Sequence, residues 1–165
     1  MSDRVLEKLA LLAIDLAGYT RWATRCEALD VASMLERYYD AMAAIVRAHG
    51  GRVVKLIGDG VFAVFPEAQT VAAIDAALAA LKWETSDPRL RIGASLHVAA
   101  VATGEIGSGP ERRWDVIGAG VNHLFRMGGG AGLRVSEPAY RKLPAQRRQG
   151  WRKEEPPATY HFDGT

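Results

Sequence analysis

The chain has 165 residues, a formal charge of +2, 48% hydrophobic and 24% charged residues, which fits one domain over residues 1–165. That charge balance gives no reason to expect nucleic-acid binding, no apolar run approaches the ~20 residues of a membrane span, and Met1-Ser2-Asp3-Arg4 lacks a signal-peptide pattern. One cysteine, Cys26, excludes an intramolecular disulfide and fits a reducing compartment, so a cytoplasmic protein is expected.

In chain order, Leu9 to Leu16 reads as a buried first strand ending near Asp15, and Thr20 as the N-cap of a short helix through Cys26. Asp30 is placed to cap a second helix, whose Val31, Met34, Leu35, Tyr38, Met42, Ile45 and Val46 keep helical spacing. His49-Gly50-Gly51 supplies its stop. Arg52 to Ile57 and Val61 to Phe65 form a hairpin, and Pro66 opens an alanine-rich helix with Val71, Ile74, Leu78 and Leu81 on one face. After Asp87-Pro88 come a strand from Arg89 to about Val101, a strand Arg113 to Ile117 and a helix Ala119 to Met127 ended by three glycines. Leu133 to Ser136, a helical turn near Pro138 to Leu143 and a closing hairpin complete the chain. The order predicts an α+β fold with helices over a largely antiparallel sheet and leaves several topologies open.

Within the hairpin, Gly58-Asp59-Gly60 is a turn signal that by itself explains Asp59. Lys55 is harder to place: alternation puts it on one strand face with Val53 and Ile57, where it needs a partner, a ligand or solvent. Asp15 reads either as a cap or turn residue before Gly18 or, if its strand neighbours the hairpin, as half of a carboxylate pair suited to Mg²⁺ or Mn²⁺. Asn122 and Arg126 share a helix face, and an exposed polar pair accounts for them. His97, His123 and His161 have no metal-ligand spacing, and His49 reads as a helix-end residue.

Taken together, Leu11-Leu12-Ala13-Ile14-Asp15-Leu16-Ala17-Gly18-Tyr19-Thr20, the hairpin Val53 to Phe62, and Trp114 to Arg126 resemble the catalytic domain of the class III nucleotidyl cyclases, in order and spacing. The resemblance runs from about Leu11 to Phe162. It implies a ferredoxin-like palm core with extra C-terminal strands, and adenylate cyclase activity producing 3′,5′-cyclic AMP and pyrophosphate from ATP. Asp15 and Asp59 would hold two divalent cations, and Ala17, Gly18, Tyr19 and Thr20 would cradle phosphates. Asn122 would orient the ribose, Arg126 would stabilise charge on the α-phosphate, and Lys55 with Asp115 would read adenine. Alternatives for the last two are a Lys55–acid ion pair and a strand-end cap at Asp115.

Arg112, Arg113 and Lys153 are further phosphate-binding candidates. The chain departs from the family pattern at Gly118-Ala119-Gly120 and at His123-Leu124-Phe125, where small residues are usual. The resemblance also implies a homodimer with head-to-tail shared sites. Other outcomes are a cyclase for GTP, CTP or UTP, and a silent nucleotide-binding regulatory module.

Overall fold

Thirteen residues of alternating burial, Val5–Ala17 (β1), form the strand around which the molecule is built. The computed structural model describes residues 3–155 and 157–164. After β1 come helices Tyr19–Ala23 (α1) and Ala28–Ala48 (α2), then the hairpin Arg52–Ile57 (β2) and Gly60–Pro66 (β3). Helix Thr70–Leu81 (α3) and the long strand Arg91–Ile106 (β4) follow. Next are Arg113–Ile117 (β5), Ala119–Arg126 (α4), Gly132–Ser136 (β6), Glu137–Tyr140 (α5), Arg152–Glu154 (β7) and Thr159–Phe162 (β8).

The described strands form one sheet in the order β2-β3-β1-β4-β6-β8-β7, with β5 paired to β4. Among the described strands only β4 and β6 run parallel. The β2-β3-β1-β4 portion, with α2 and α3 over one face, is the expected ferredoxin-like arrangement. Among the described residues no helix is long and apolar enough to cross a membrane.

Strand alternation divides β1 between two cores. Ala10, Leu12, Ile14 and Leu16 pack with Met34, Tyr38, Met42 and Val46 of α2 and with the alanine face of α3. Leu9 and Leu11 face the other way, joining Phe62, Val64, Val101, Val116 and the α4 residue Leu124. The β4–β5 ribbon closes this second core: the Arg52 guanidinium of β2 lies 3.5 Å from the centre of the Trp114 ring on β5. A cation over indole is a favourable contact that ties two strands not adjacent in the sheet.

Several local expectations change. β1 begins four residues before Leu9, because β4 is long enough to pair it from Val5 onward. Thr20 is not the cap of α1; Gly18 is, at φ 89°, with the Arg89 carbonyl only 2.7 Å from where a Cβ would stand. A turn this tight needs glycine. α1 also stops at Ala23, before Cys26. Glu27, not Asp30, precedes α2, and Asp30 lies in its first turn. Pro66 ends β3, and a 3₁₀ turn, Glu67–Gln69, separates it from α3. β4 starts at Arg91 and runs five residues beyond Val101, since its far half is held by β5.

Lys55 is also not on the face of Val53. The β2–β3 register slips between them: Val53 pairs with Ala63, and Lys55 with Phe62. That bulge turns Val53 toward the α2 core and Lys55 toward the α4 side.

Helix α4 is held close to the sheet by Gly120, where a Cβ would stand 2.3 Å from that of Ala99. Gly120→Ala is therefore expected to destabilise the fold by about 1–3 kcal/mol through overpacking, despite alanine's better helix propensity. Denaturant melts of Gly120→Ala, Ala99→Gly and the double variant check this. Coupling between the two positions, with the double variant recovering part of the loss, is the expected result.

Candidate active site

The β1–β3 ladder ends at the pair Ile14–Val61, leaving the last residues of β1 without a strand on that side. The hairpin turn fills the gap. The Leu16 backbone N–H donates to Asp59 Oδ2 at 3.0 Å, so a side chain continues the ladder where the strand stops. From the other side, the Tyr39 hydroxyl of α2 donates to the Gly58 carbonyl and pins the turn. Asp59 is thus both a turn residue, as its glycine neighbours predict, and the neighbour of Asp15.

Asp15 sits opposite Gly93 in the β1–β4 register. A Cβ at Gly93 would lie 2.8 Å from Asp15 Oδ1 and 2.2 Å from the Gly130 carbonyl oxygen, so only glycine leaves room for this carboxylate. Burial first, and then the Asp59 charge, push the Asp15 carboxyl up to about 6, while Arg134 pulls it the other way. Behind it, the Tyr38 hydroxyl is buried without a hydrogen-bond partner among the described residues, and burial with both aspartates pushes its pKa far up.

The two carboxylates open into a cleft of about 310 Å³ lined also by Ala13, Ile14, Ile57, Gly60, Phe62 and Phe125. Two repelling carboxylates in a partly desolvated cleft suit a hard divalent cation that completes its shell with water and phosphate oxygens. No third His, Cys, Asp or Glu joins them among the described residues. The donor set therefore fits Mg²⁺ or Mn²⁺ bound together with a phosphorylated ligand, and does not fit a closed structural site.

Lys55 and Asp115 meet across the second core: Nζ lies 3.0 and 3.1 Å from the two carboxylate oxygens, and both side chains are largely buried. Asp115 Oδ1 also accepts the Val116 N–H at 2.7 Å. The ion-pair alternative for these residues thus holds in this structure, and the pair offers a donor and an acceptor side by side. Asn122 and Arg126 are exposed on the outer face of α4.

Ala17 closes β1, Gly18 makes the turn, and Tyr19 and Thr20 open α1, which has no side-chain cap. Other expected residues are not brought to this cleft within one chain. The Arg112 side chain donates to the Glu105 carbonyl at 3.1 Å, and Arg113 pairs with Ile106 at the far end of the β4–β5 ribbon. Lys153 is on β7, the sheet edge opposite β2, and pairs with Glu155 at 2.7 Å. Arg134, Gly93, Tyr38 and the cleft-lining Phe125 were not anticipated as site residues; a glycine inside an apolar strand was the one available signal, at Gly93.

The shift at Asp15 has a sign that can be tested. Its folded-state pKa lies above the ordinary 3.8, so the folded chain binds more protons than the unfolded one between about pH 4 and pH 6. Stability contributed by this group therefore falls as pH rises through that window. In metal-free buffer, Asp15→Asn is expected to stabilise the protein by about 1–2 kcal/mol at pH 7.5, discounted for partial exposure, with the gain shrinking toward pH 4. Denaturant melts with chelator at both pH values check it; a pH-independent difference would remove the electrostatic cause.

Residues 2–155 match the family model described as the adenylate and guanylate cyclase catalytic domain. An adenylate cyclase of Anabaena cylindrica is 26% identical over 154 residues, covering 82% of this chain and 31% of that protein. One from Streptomyces coelicolor is 31% identical over 126 residues, covering 76% and 30%. The chain thus spans about a third of the length of these curated relatives. Among solved structures, a bacterial light-regulated adenylyl cyclase superposes with a TM-score of 0.83 at 23% identity, over 98% of this chain and 53% of that one. The guanylyl cyclase Cya2 gives 0.82 at 20% identity, over 97% and 92%. With the family model covering nearly its whole length, this chain belongs to the adenylate and guanylate cyclase catalytic domains, the class III nucleotidyl cyclases.

Proposed function

We propose that the chain is an adenylate cyclase that converts ATP to 3′,5′-cyclic AMP and pyrophosphate at sites shared between two copies. The observation that carries this reading is the pairing of Asp15 with Asp59 in a cleft on the sheet face that also presents the Lys55–Asp115 pair. Asp15 and Asp59 hold two divalent cations, Mg²⁺ or Mn²⁺, with the triphosphate. When bound, such ions lower the pKa of the attacking 3′-hydroxyl and neutralise charge on the phosphates. The backbone amides of Gly18 and of Tyr19 and Thr20 at the start of α1, which no side chain caps, receive phosphate oxygens. Asn122 orients the ribose, and the Arg126 guanidinium meets the charge that develops on the α-phosphate. Lys55 donates to adenine N1 while Asp115 accepts from the N6 amino group; guanine presents the opposite pattern on that edge.

Lys55 and Asp59 are four residues apart, too close to serve opposite ends of one extended nucleotide. A two-fold head-to-tail dimer resolves this: Asp15 and Asp59 of one protomer face Lys55, Asp115, Asn122 and Arg126 of its partner, twice over. Arg112, Arg113 and Lys153 remain candidates for triphosphate contacts only in that assembly. No nucleic acid and no membrane enters the reaction.

Mass-spectrometric product identification from ATP, GTP, CTP and UTP with Mn²⁺ or Mg²⁺ tests the substrate. Cyclic AMP is the expected main product; a preference for another base would overturn the adenine reading, and no cyclic product would leave a nucleotide-binding module. Asp15→Ala and Asp59→Ala are each expected to lower turnover by about 100-fold or more. Lys55→Glu with Asp115→Cys is expected to lower ATP turnover by at least about tenfold.

The dimer makes a sharper prediction. Mixing inactive Asp59→Ala with inactive Arg126→Ala gives heterodimers in which one site is intact and the other doubly damaged. Random exchange at equal amounts should restore about a quarter of wild-type activity. No recovery despite demonstrated subunit exchange would refute the shared site.

A further inference from the structure

We propose that Arg21, Arg25 and Arg89 form a pocket for a phosphate or diphosphate group, separate from the cleft of Asp15 and Asp59. The three side chains line a cavity of about 240 Å³ whose other described walls are Gly18 and Trp22. None of these five residues lines the carboxylate cleft.

The charge of this pocket is unbalanced. Arg89 is matched by Asp87, whose carboxylate accepts from its Nε at 2.9 Å and from its Nη2 at 2.5 Å. Among the described residues Arg21 and Arg25 pair with no acid. They stand one helical turn apart, because the chain stays helical through Thr24 and the Arg25 N–H donates to the Trp22 carbonyl at 3.0 Å. Like charges at that spacing repel each other, and an anion shared between them removes the cost.

The walls are also fixed before a ligand arrives. Trp22, between the two arginines in sequence, is 8% exposed and packs into the α2 and α3 core, which anchors α1. Arg89 comes from the segment leading into β4, and its carbonyl makes the close approach that demands Gly18. The same residue therefore joins two distant stretches of chain, while Asp87 holds its guanidinium in one place. Donors held in this way lose little freedom on binding.

Three guanidinium forks match the oxygens of a phosphate group and keep their charge over the whole physiological pH range. Net of Asp87 the pocket carries two uncompensated positive charges, which favour a dianion over a monoanion. Trp22 is too buried to offer a stacking face, so the group recognised is the phosphate and not a base. Inorganic phosphate, pyrophosphate and a small phosphate monoester share that chemistry. The pocket does not depend on the cyclase reading, although pyrophosphate is the product that reading assigns.

Calorimetric titration of the chain, in low-salt buffer freed of divalent ions, tests this with inorganic phosphate, pyrophosphate, glycerol phosphate and acetate. At least one phosphate probe is expected to bind, with acetate at least about tenfold weaker, and the ranking of the three identifies the source. Arg21→Gln combined with Arg25→Gln is expected to weaken binding about tenfold or more, about 1.4 kcal/mol, without lowering the ligand-free melting temperature. The corresponding double lysine variant, which keeps charge and loses the forks, is expected to fall between the two. If the double glutamine variant folds poorly, Arg25→Gln alone carries the comparison. Absence of binding by all three phosphate probes overturns the proposal. So does acetate binding as tightly as they do, which marks a merely positive surface, or equal affinity in the glutamine variants, which places the anion elsewhere. Cyclic nucleotide production is not read in this experiment, so failure here leaves the cyclase reading standing.

Discussion

The hydrogen bond from the Leu16 N–H to the Asp59 carboxylate is the contact on which the candidate site depends. β1 outlasts β3, and its exposed edge carries an unsatisfied donor where the ladder ends. A side-chain carboxylate from the hairpin turn meets that donor, at the residue immediately after Asp15. Backbone geometry thus places one carboxylate, and the second follows from its position on the strand. The cost is desolvation of the Asp15 carboxylate and, after it, repulsion from Asp59, visible in the raised pKa of Asp15. The fold tolerates it because the turn is held independently by Tyr39 and because Gly93 leaves space beneath Asp15.

The second core explains how the remaining residues reach the same face. A single bulge in β2 reverses the side on which Lys55 emerges and aims it over the Phe62 ring toward Asp115. The β4–β5 ribbon brings Asp115 to it, and the Arg52–Trp114 contact holds ribbon and hairpin together. α4 packs on this core through Leu124, with Gly120 against Ala99, so its outward face is presented at a fixed height above the sheet. Packing density in that small core is what converts strand register into placement of Asn122 and Arg126.

Element order and sheet class were legible in the sequence because hydrophobic period changes sharply between β1, α2 and the hairpin, and because glycine-rich turns punctuate them. Asp15 and Asp59 by themselves read as a cap and a turn residue; the resemblance to the cyclase family implied their pairing, and the structure brings the two side chains to one cleft. The side on which Lys55 emerges was not, since a one-residue bulge leaves no trace in an apolar run yet reverses alternation. The cap of α1 was not legible, because the approach of the Arg89 carbonyl demands Gly18 there and outweighs side-chain capping preference. Lys153 illustrates the opposite limit. It is a candidate only through the resemblance, as a late lysine for the triphosphate, and sheet order places it on the edge away from β2.

The two halves of the site differ in how their charge is balanced, and that difference bears on selectivity. Asp15 and Asp59 repel each other, with Arg134 offsetting part of that repulsion, so this half suits a divalent cation bound together with phosphate. Lys55 and Asp115 already neutralise each other in a largely buried pair. A base that enters there must replace contacts the pair makes with itself. In the adenine reading, a base with matching acceptor and donor gives both side chains new partners, at little net cost. A base with the reversed pattern leaves a buried ammonium and a buried carboxylate facing groups of the wrong kind, a penalty of about 1–3 kcal/mol for each unsatisfied group. Selection then comes less from attraction to the right base than from the cost of opening this ion pair for the wrong one.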